Sequence, residues 1–286
     1  FQGMWATGIM LNCNVYHGCT TSCRYCYVAL NRKVEAQRKA PRRCGDPCAG
    51  MGKFVNLLNK VFGPKYNEHN ATEYFLHERW PMMLSNNSDP LSNLEAEHGF
   101  TWQYLQALAD LDYPLQILTK GQAWKLLDKD AWLSLLKRFS RLWVSVSITA
   151  DNDECRRAWE PAGSTVDERF EMVEELTKAG IAVEVHCTPF IPSESFRGSW
   201  DDPDTYRPFI ERVKDAGAFG VTCAPLCFDA ADTRGVTAAD REYVAANEWC
   251  NSDTDRPWRF FLPDVSIWEE ISRIWYAEAK ASGLEC

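Results

Sequence analysis

The sequence has the size and composition of a globular protein that can bury a full core. Its 286 residues are 45% hydrophobic and 25% charged, and no apolar run approaches the ~20 residues that a membrane-spanning helix needs. The net charge of −9 argues against a broad nucleic-acid-binding surface. With no signal peptide, we expect a cytoplasmic protein that makes no contact with a membrane.

Apolar patterning alternates between strands and helices along most of the chain. Strands are predicted at 8–16, 81–84, 115–118, 142–148, 182–187 and 220–224. Helices are predicted at 54–62, 101–111, 131–139, 166–179 and 203–216, and Ser164 with Asp167 predicts a capping box before the fourth of these. Six such β/α units predict a parallel sheet covered by helices, with its chemistry at the carboxyl ends of the strands.

The chain ends are expected to differ from this repeating part. Residues 1–3 resemble the remnant of a protease-cleavable tag, which places the native start at Met4. Residues 4–230 are expected to form the barrel domain. The β/α pattern stops near residue 235, so 231–286 is expected to be a helical, Trp-rich extension packed on that domain.

Three cysteines, Cys19, Cys23 and Cys26, follow the first predicted strand at C-x3-C-x2-C spacing. Thiolates select zinc, copper(I) or iron–sulfur clusters. A structural zinc site needs four protein ligands, and no fourth Cys or His lies nearby at a matching spacing. Three cysteines would instead leave one iron of a [4Fe–4S] cluster, usually held by four, open to a small molecule. A zinc knuckle completed by a distant residue such as His17 stays an alternative.

This motif, with an aromatic residue before its last cysteine, resembles the signature of radical S-adenosylmethionine (SAM) enzymes. Further segments are similar to the spore photoproduct lyase-like branch of that superfamily, in the same order: 12–28, 85–90 (SNNSDP), 117–120 (ILTK), 145–149 (SVSIT), 159–169 and 178–192. The resemblance runs from about residue 12 to residue 192. It implies a partial (β/α)6 TIM-like barrel of the radical SAM type, here with a C-terminal helical cap.

The resemblance also implies cofactors and their ligands. Cys19, Cys23 and Cys26 would hold a [4Fe–4S] cluster, and an electron from a flavodoxin- or ferredoxin-like donor would let it cleave SAM to a 5′-deoxyadenosyl radical. Tyr25 would lie against the adenine of SAM, and Lys120 would hold its carboxylate. The other positions matched to SAM or its surroundings are Ser85, Asn86, Asn87, Ser147, Glu160 and Arg169.

One departure from the lyase pattern bears on the substrate. The lyases carry a hydrogen-donor cysteine after the second strand, whereas this chain reads Ser85-Asn86-Asn87-Ser88 there. Tyr25 and Tyr27 do match the tyrosine pair that assists radical return in that family. We therefore expect a relative that acts on another substrate, and Cys187 and Cys223, each ending a predicted strand, are candidate hydrogen donors.

Three functional hypotheses stay open. A radical SAM enzyme acting on a nucleobase or nucleotide in DNA or RNA leads, supported by the family resemblance and by the basic residues between Arg32 and Arg43. A peptide or small-metabolite substrate is the second, favoured by the acidic net charge. A non-catalytic zinc-binding module is the third. The pairs Cys44/Cys48 and Cys223/Cys227, with Cys250 or Cys286, could also hold a second metal.

Overall fold

The computed structural model describes residues 11–26, 44–85, 87–190, 195–225, 228–229, 250–252, 260–263 and 265–286. The predictions made for Tyr27, Asn86, Cys227 and the basic residues 32–43 lie outside the described residues. No helix in the described ranges has both the length and the apolarity that crossing a membrane requires.

Helices and strands alternate through most of the described chain. The strands are β1 (Leu11–Cys13), β2 (Met82–Leu84), β3 (Leu115–Thr119), β4 (Leu142–Ser147), β5 (Ala182–Phe190), β6 (Gly220–Pro225), β7 (Phe228–Asp229), β8 (Cys250–Ser252) and β9 (Phe260–Pro263). The helices are α1 (Met51–Val61), α2 (Ala71–His77), α3 (Asn93–His98), α4 (Phe100–Ala109), α5 (Lys129–Leu136), α6 (Asp153–Trp159), α7 (Val166–Lys178), α8 (Pro203–Asp215) and α9 (Val265–Ala281).

Strands β1 to β6 form one parallel sheet whose spatial order is the order of the sequence. In this sheet Cys13 lies opposite Leu84, Leu84 opposite Ile117, and Cys187 opposite Cys223. A parallel sheet in sequence order with intervening helices is the arrangement of a (β/α)6 partial barrel, so the predicted fold class is confirmed. Each βα loop leaves its strand at the carboxyl end, where such folds carry their chemistry.

The chain divides into two compact units. The first comprises residues 1–20, 42–145 and 178–182. Strand β3 is buried on both faces: Leu115 and Ile117 are at most 1% exposed, and Gln116, which points to the opposite side, is 8% exposed. Buried Glu95 accepts the hydroxyl hydrogen of Tyr16 and the N–H groups of Thr101 and Trp102 at the start of α4, so those N–H groups are not left unpaired.

The second unit comprises residues 21–41, 146–177 and 183–286. An aromatic cluster forms part of its core, and its buried members include Phe190, Phe196, Tyr206, Phe209 and Trp275. Trp275 of α9 is fully buried and contacts the other four rings. Trp275 therefore packs inside this core, and its helix lies within residues 231–286. The packing of that extension on the barrel stays a prediction.

Several elements were not predicted. Helices α2, α3 and α6 have only seven, six and seven residues, which is too short for a helical stripe to show in the sequence. Strands β7, β9 and β8 form a small antiparallel sheet; β8 and β9 lie in the region expected to be helical, and β7 lies just before it. The capping box of α7 is one residue later than predicted: the Thr165 hydroxyl accepts from the Glu168 N–H (3.1 Å), and the Glu168 carboxylate accepts from the Thr165 N–H (2.7 Å).

Candidate cofactor site

The chain leaves β1 along a short ribbon that supports the cysteine loop. The His17 N–H donates to the Asp46 carbonyl (2.8 Å) and the Gly45 N–H donates to the His17 carbonyl (2.9 Å). The Cys48 N–H donates to the Val15 carbonyl (2.8 Å). These backbone hydrogen bonds fix the path of residues 15–17 immediately before the loop.

Glycine is required at position 18 by the backbone conformation there and by the closeness of Cys44. Its φ of 77° lies in the left-handed region, and a Cβ atom there would lie 2.7 Å from the Cys44 sulfur. No side chain fits between the two residues without a shift of Cys44. The segment containing Cys44 therefore packs directly against the backbone that precedes Cys19.

Two further contacts hold the loop on either side of its centre. The Thr20 hydroxyl donates to the Gln122 side-chain oxygen (2.5 Å). The Arg24 N–H donates to the Trp159 carbonyl at the end of α6 (2.9 Å). Between these anchors Ser22 adopts a φ of 54°, which is uncommon for a residue other than glycine and persists only when its surroundings enforce it.

The donor set of Cys19, Cys23 and Cys26 fits an iron–sulfur cluster in its chemistry. All three side chains are half-buried, and the Cys26 N–H donates to the Cys23 carbonyl (3.2 Å) in a tight turn. Across the described ranges, however, no three or more His, Cys, Asp or Glu side chains already form a metal-binding group. A [4Fe–4S] cluster does not require such a group, because each of its cysteine ligands binds a different iron.

Tyr25, between the last two of these cysteines, is anchored in a buried ion pair. Its hydroxyl donates to a carboxylate oxygen of Glu160, and the other carboxylate oxygen of Glu160 accepts from the Arg169 guanidinium. The side chains of Glu160 and Arg169 are both 0% exposed. Burial, the charge of Glu160 and the neighbouring Cys23 raise the pKa of Tyr25 well above its ordinary value, so Tyr25 stays a neutral donor.

The partners of this ion pair come from β4 and the start of α7. Arg169 donates to the Ser147 carbonyl (2.9 Å) and to the Ser164 hydroxyl (3.2 Å), while the Thr149 hydroxyl donates to Glu160 (2.9 Å). Burial alone would lower the pKa of Arg169, but the charge and hydrogen bond of Glu160 raise it. A buried charge pair satisfied in this way is stable only as a complete set.

Gly163 and Arg156 complete the surroundings of Glu160. A Cβ atom on Gly163 would lie 2.6 Å from the Arg169 guanidinium, so the ion pair occupies the space that a side chain would take. Arg156 donates to the carbonyls of Glu160 and Gly163 (both 3.2 Å) and to the Asp153 carboxylate (3.0 Å). The turn that carries Glu160 is thus fixed from both sides.

Ser85 and Asn87 lie where β2 ends, as predicted. Ser85 is buried with a φ of 69°, its N–H donates to the Cys13 carbonyl (2.8 Å), and its hydroxyl accepts from Ser88 (3.2 Å). The Asn87 N–H donates to the Asn14 side chain (2.7 Å). These contacts connect the end of β2 to the end of β1.

Lys120 follows β3 directly and is positioned by Asp89. The two carboxylate oxygens of Asp89 accept from the Lys120 N–H (2.9 Å), the Thr119 hydroxyl (2.6 Å) and the Leu91 N–H (2.9 Å). Burial raises the pKa of Asp89, and these hydrogen bonds oppose that shift. Asp89 therefore connects the SNNSDP loop to the predicted SAM-carboxylate ligand.

Cys187 and Cys223 lie on the side of the sheet that faces α8. Cys187 is fully buried, and both thiols are close enough to Tyr206 of α8 to affect its pKa. Burial, with a smaller effect of Cys286, raises the pKa of the Cys223 thiol. The proposed role of either cysteine as a hydrogen donor stays a prediction. On β5, His186 points to the face opposite to that of Cys187.

The structure thus brings Tyr25, Ser147, Glu160 and Arg169 together in one network. Sequence reasoning missed four positioning residues, namely Asn14, Asp89, Thr149 and Arg156. Asp89 and Thr149 occur inside segments that the sequence did single out, SNNSDP and SVSIT. For Thr149 the available signal was a polar residue just after an apolar strand; Asp89 lies in a loop that is polar throughout, so no local pattern distinguishes it.

Several solved structures have a fold similar to that of this chain. Spore photoproduct lyase complexed with dinucleoside spore photoproduct matches with a TM-score of 0.65 at 14% identity, over 94% of this chain and 74% of that one. A mutant of that lyase with bound AdoMet and the same product matches with 0.66 at 13%, over 95% and 74%. SuiB of Streptococcus suis bound to S-adenosylmethionine matches with 0.52 at 10%, over 83% and 47%. The chain has the fold of these proteins.

Curated relatives give a nearer but shorter match. The uncharacterized proteins Rv2578c of Mycobacterium tuberculosis (strain ATCC 25618 / H37Rv) and Mb2609c of Mycobacterium bovis (strain ATCC BAA-935 / AF2122/97) are each 26% identical over 212 residues. That match covers 73% of this chain and 56% of each relative, so the chain spans little more than half of their length. No protein-family model matches.

Proposed function

We propose that this protein is a radical SAM enzyme in which Cys19, Cys23 and Cys26 hold a [4Fe–4S] cluster. When bound, such a cluster supplies the electron that cleaves SAM to a 5′-deoxyadenosyl radical, which abstracts hydrogen from the substrate. The observation that carries the proposal is the C-x3-C-x2-C loop at the carboxyl end of β1, in a chain with the fold of spore photoproduct lyase.

The polar residues at the strand ends are proposed to bind SAM. Lys120 would pair with its carboxylate, because an ammonium suits a carboxylate. Ser85 and Asn87 would accept hydrogen bonds from its amino group, and Ser147 would contact it from β4. Asn86 is proposed to bind SAM together with Ser85 and Asn87, and Tyr27 is proposed to assist radical return with Tyr25. The strained φ of Ser85 supports this assignment, because residues held in rare conformations concentrate at functional sites.

Glu160 and Arg169 are proposed to act through Tyr25 rather than on SAM. Their side chains are fully buried, and their hydrogen bonds go to Tyr25, Thr149, Ser147 and Ser164. The network fixes the residue between Cys23 and Cys26, and the nearby contact of Arg24 with Trp159 fixes the residue before it. Both contacts would hold the loop in place while the thiols bind the cluster.

The test is SAM cleavage under anaerobic conditions. Reconstituted protein with dithionite as reductant is expected to form 5′-deoxyadenosine from SAM, and Cys23→Ala is expected to form none. Cys286→Ala is the matched control, because that thiol is free and exposed at the end of the chain. A Cys23→Ala protein that cleaves SAM as fast as this control would refute the proposal.

A nucleobase or nucleotide is the proposed substrate class. Support comes from the lyase structure with a bound dinucleoside and from the basic residues 32–43. The alternative of a peptide substrate is supported by SuiB, which has been solved with a bound precursor peptide, and by the acidic net charge of this chain. Binding of labelled DNA and RNA at several salt concentrations distinguishes a nucleic-acid substrate from a peptide or small metabolite. Contacts to phosphates make the affinity fall steeply as the salt concentration rises. If neither binds even at low salt, the nucleic-acid hypothesis fails.

The zinc alternative makes a different prediction about composition. A zinc module would retain zinc, with neither iron nor sulfide, after anaerobic purification. The radical SAM proposal predicts iron and sulfide, together with an external electron donor of the flavodoxin or ferredoxin type. Metal analysis of the purified protein separates the two before any activity is measured.

A further inference from the structure

Two buried side chains of the six-stranded parallel sheet each contain an oxygen atom without a hydrogen-bond partner. Among the described residues, nothing donates a hydrogen bond to Asn12 Oδ1 or to Gln116 Oε1. Asn12, in β1, is 4% exposed, and Gln116, in β3, is 8% exposed. A buried acceptor that is left unpaired costs free energy, so two such atoms in one sheet need an explanation.

The two residues share one face of the sheet, on either side of Met83. In the parallel register Asn12 lies opposite Met83 of β2, and Met83 lies opposite Gln116. Met83 is half-buried, although its strand neighbours Met82 and Leu84 are fully buried. Alternate residues of a strand point to opposite sides, so the face that carries Met83 borders solvent-accessible space and the other face belongs to the packed core.

The described neighbours hold these side chains without satisfying the two oxygens. The Gln116 amide nitrogen donates to the Ser145 hydroxyl oxygen in β4 (2.8 Å), which fixes the orientation of that amide. Met83 contributes a thioether, which accepts hydrogen bonds weakly and donates none. Its side chain has three rotatable bonds and can move aside. Both oxygens are therefore suited to accept from a group that is not part of the sheet.

The chemistry of these two atoms defines the group that they can bind. Both oxygens are uncharged, so a neutral donor suits them better than an ammonium ion, which is costly to bury without an anion. The Cα atoms of Asn12 and Gln116 are two strand spacings apart, about 10 Å, and the side chains can shorten that span from both ends. One NH2 group can donate a hydrogen atom to each oxygen.

The two oxygens lie just below the end of the sheet where SAM is proposed to bind. Asn12 precedes Asn14 by two residues, which is about 7 Å along a strand. The Asn14 side chain accepts from the Asn87 N–H (2.7 Å) in the loop after β2. The oxygens are thus one layer of side chains beneath the strand ends, where folds of this kind carry their chemistry.

We propose that Asn12 and Gln116 bind the exocyclic amine of a nucleobase substrate, and that Met83 moves aside to admit it. The inference rests on the proposed function and names the part of the substrate that these strands recognise. Such a site selects cytosine over uracil and adenine over hypoxanthine. A base with a carbonyl oxygen in place of the amine would bring a third acceptor against two others and leave all three unpaired.

Calorimetric binding of two nucleoside pairs to the reconstituted protein tests this, with SAM present and no reductant. Cytidine has an amine where uridine has a carbonyl, and adenosine differs from inosine in the same way. The wild type should bind the amine-bearing member of at least one pair about tenfold more tightly, the effect of leaving a buried acceptor unpaired. That ratio should fall towards one in Asn12→Leu and in Gln116→Met. The control Thr101→Val, which removes a buried hydroxyl that donates to the Pro90 carbonyl (2.7 Å), should keep it.

The stability of the protein without nucleoside gives a second readout. Replacing an unpaired buried oxygen by an apolar group removes a desolvation cost, so Asn12→Leu should unfold at the same urea concentration as the wild type or a higher one. Thr101→Val, which loses an existing hydrogen bond, should unfold at a lower concentration. A loss of stability in both Asn12→Leu and the smaller Asn12→Val would show that this oxygen is already paired, and would overturn the inference.

Three binding results would also overturn it. These are equal binding within both pairs by the wild type, a tenfold ratio that persists in Asn12→Leu and Gln116→Met, and failure of all four nucleosides to bind at millimolar concentration. Because binding requires no SAM cleavage, the two proposals fail separately. Absent 5′-deoxyadenosine with an intact ratio rejects the proposed function alone, and ratios of one with normal SAM cleavage reject only the inference.

Discussion

The buried pair of Glu160 and Arg169 is the residue-scale feature on which the cysteine loop most depends. A charge pair removed from water is maintained only when every partner is present, because a single buried charge is costly. Here the partners come from the loop itself (Tyr25), from the segment after β4 (Thr149) and from the residues just before α7 (Ser164). Loss of one member should therefore affect the loop as well as the stability of the fold.

The Glu160→Gln substitution tests how much stability is lost when one charge of the buried pair is removed. The amide keeps the shape of the side chain but leaves the Arg169 charge buried without an anion, so we expect a loss of about 3–5 kcal/mol in the free energy of unfolding. Chemical denaturation measures it. Glu270→Gln, in the exposed Glu270–Arg273 pair, is the control and should change stability little. A Glu160→Gln protein as stable as this control would contradict the account.

Gly163→Ala tests the space around the same pair. The added methyl group would lie 2.6 Å from the Arg169 guanidinium, and we expect a loss of about 1–3 kcal/mol from overpacking. Gly52→Ala in α1, where a Cβ atom meets nothing within 4 Å, should instead gain up to about 1 kcal/mol in helix propensity. Thermal unfolding of both variants measures the contrast, and equal effects would show that Gly163 is not constrained by Arg169.

At the scale of elements, the start of α7 links helix capping to the ion pair. Thr165 and Glu168 form the reciprocal cap, which leaves the Ser164 hydroxyl to accept from Arg169. The sequence pattern assigned the cap to Ser164 and Asp167, because both register choices place a hydroxyl three residues before an acid. Only the position of Arg169 in the fold decides between them.

A pair of double-mutant cycles separates the two assignments. The Thr165→Ala and Glu168→Ala substitutions should be coupled by about 0.5–1 kcal/mol, since each removes one half of a reciprocal cap. The same cycle on Ser164 and Asp167 should show no coupling. Urea denaturation of the six variants and the wild type supplies the values. Coupling in the second cycle but not in the first would restore the sequence-based assignment.

The parts of the fold that the sequence predicted are those whose signal is local. The six strands of the main sheet are short apolar runs, and the three cysteines of the loop lie within eight residues of one another. The link between Tyr25 and Glu160 spans 135 residues, so no local pattern could predict it. The short helices and the small tail sheet lack such a local signal.

At the scale of the whole molecule, the fold is that of spore photoproduct lyase, but sequence identity to it is only 14%. Such a likeness fixes the order of strands and the place of the βα loops. It leaves the chemistry to particular side chains, and the stretch Ser85-Asn86-Asn87-Ser88 after β2, which has no cysteine, is the reason for the prediction that the substrate differs from that of the lyases. The composition of the bound metal is therefore the property that decides between the proposed functions.

The iron content of the anaerobically reconstituted protein tests the central claim most directly. The account predicts about four irons and four sulfides per chain, a sharp loss in Cys19→Ala, Cys23→Ala and Cys26→Ala, and wild-type content in the control Cys286→Ala. Zinc without iron, or full iron content in all three variants, would contradict it.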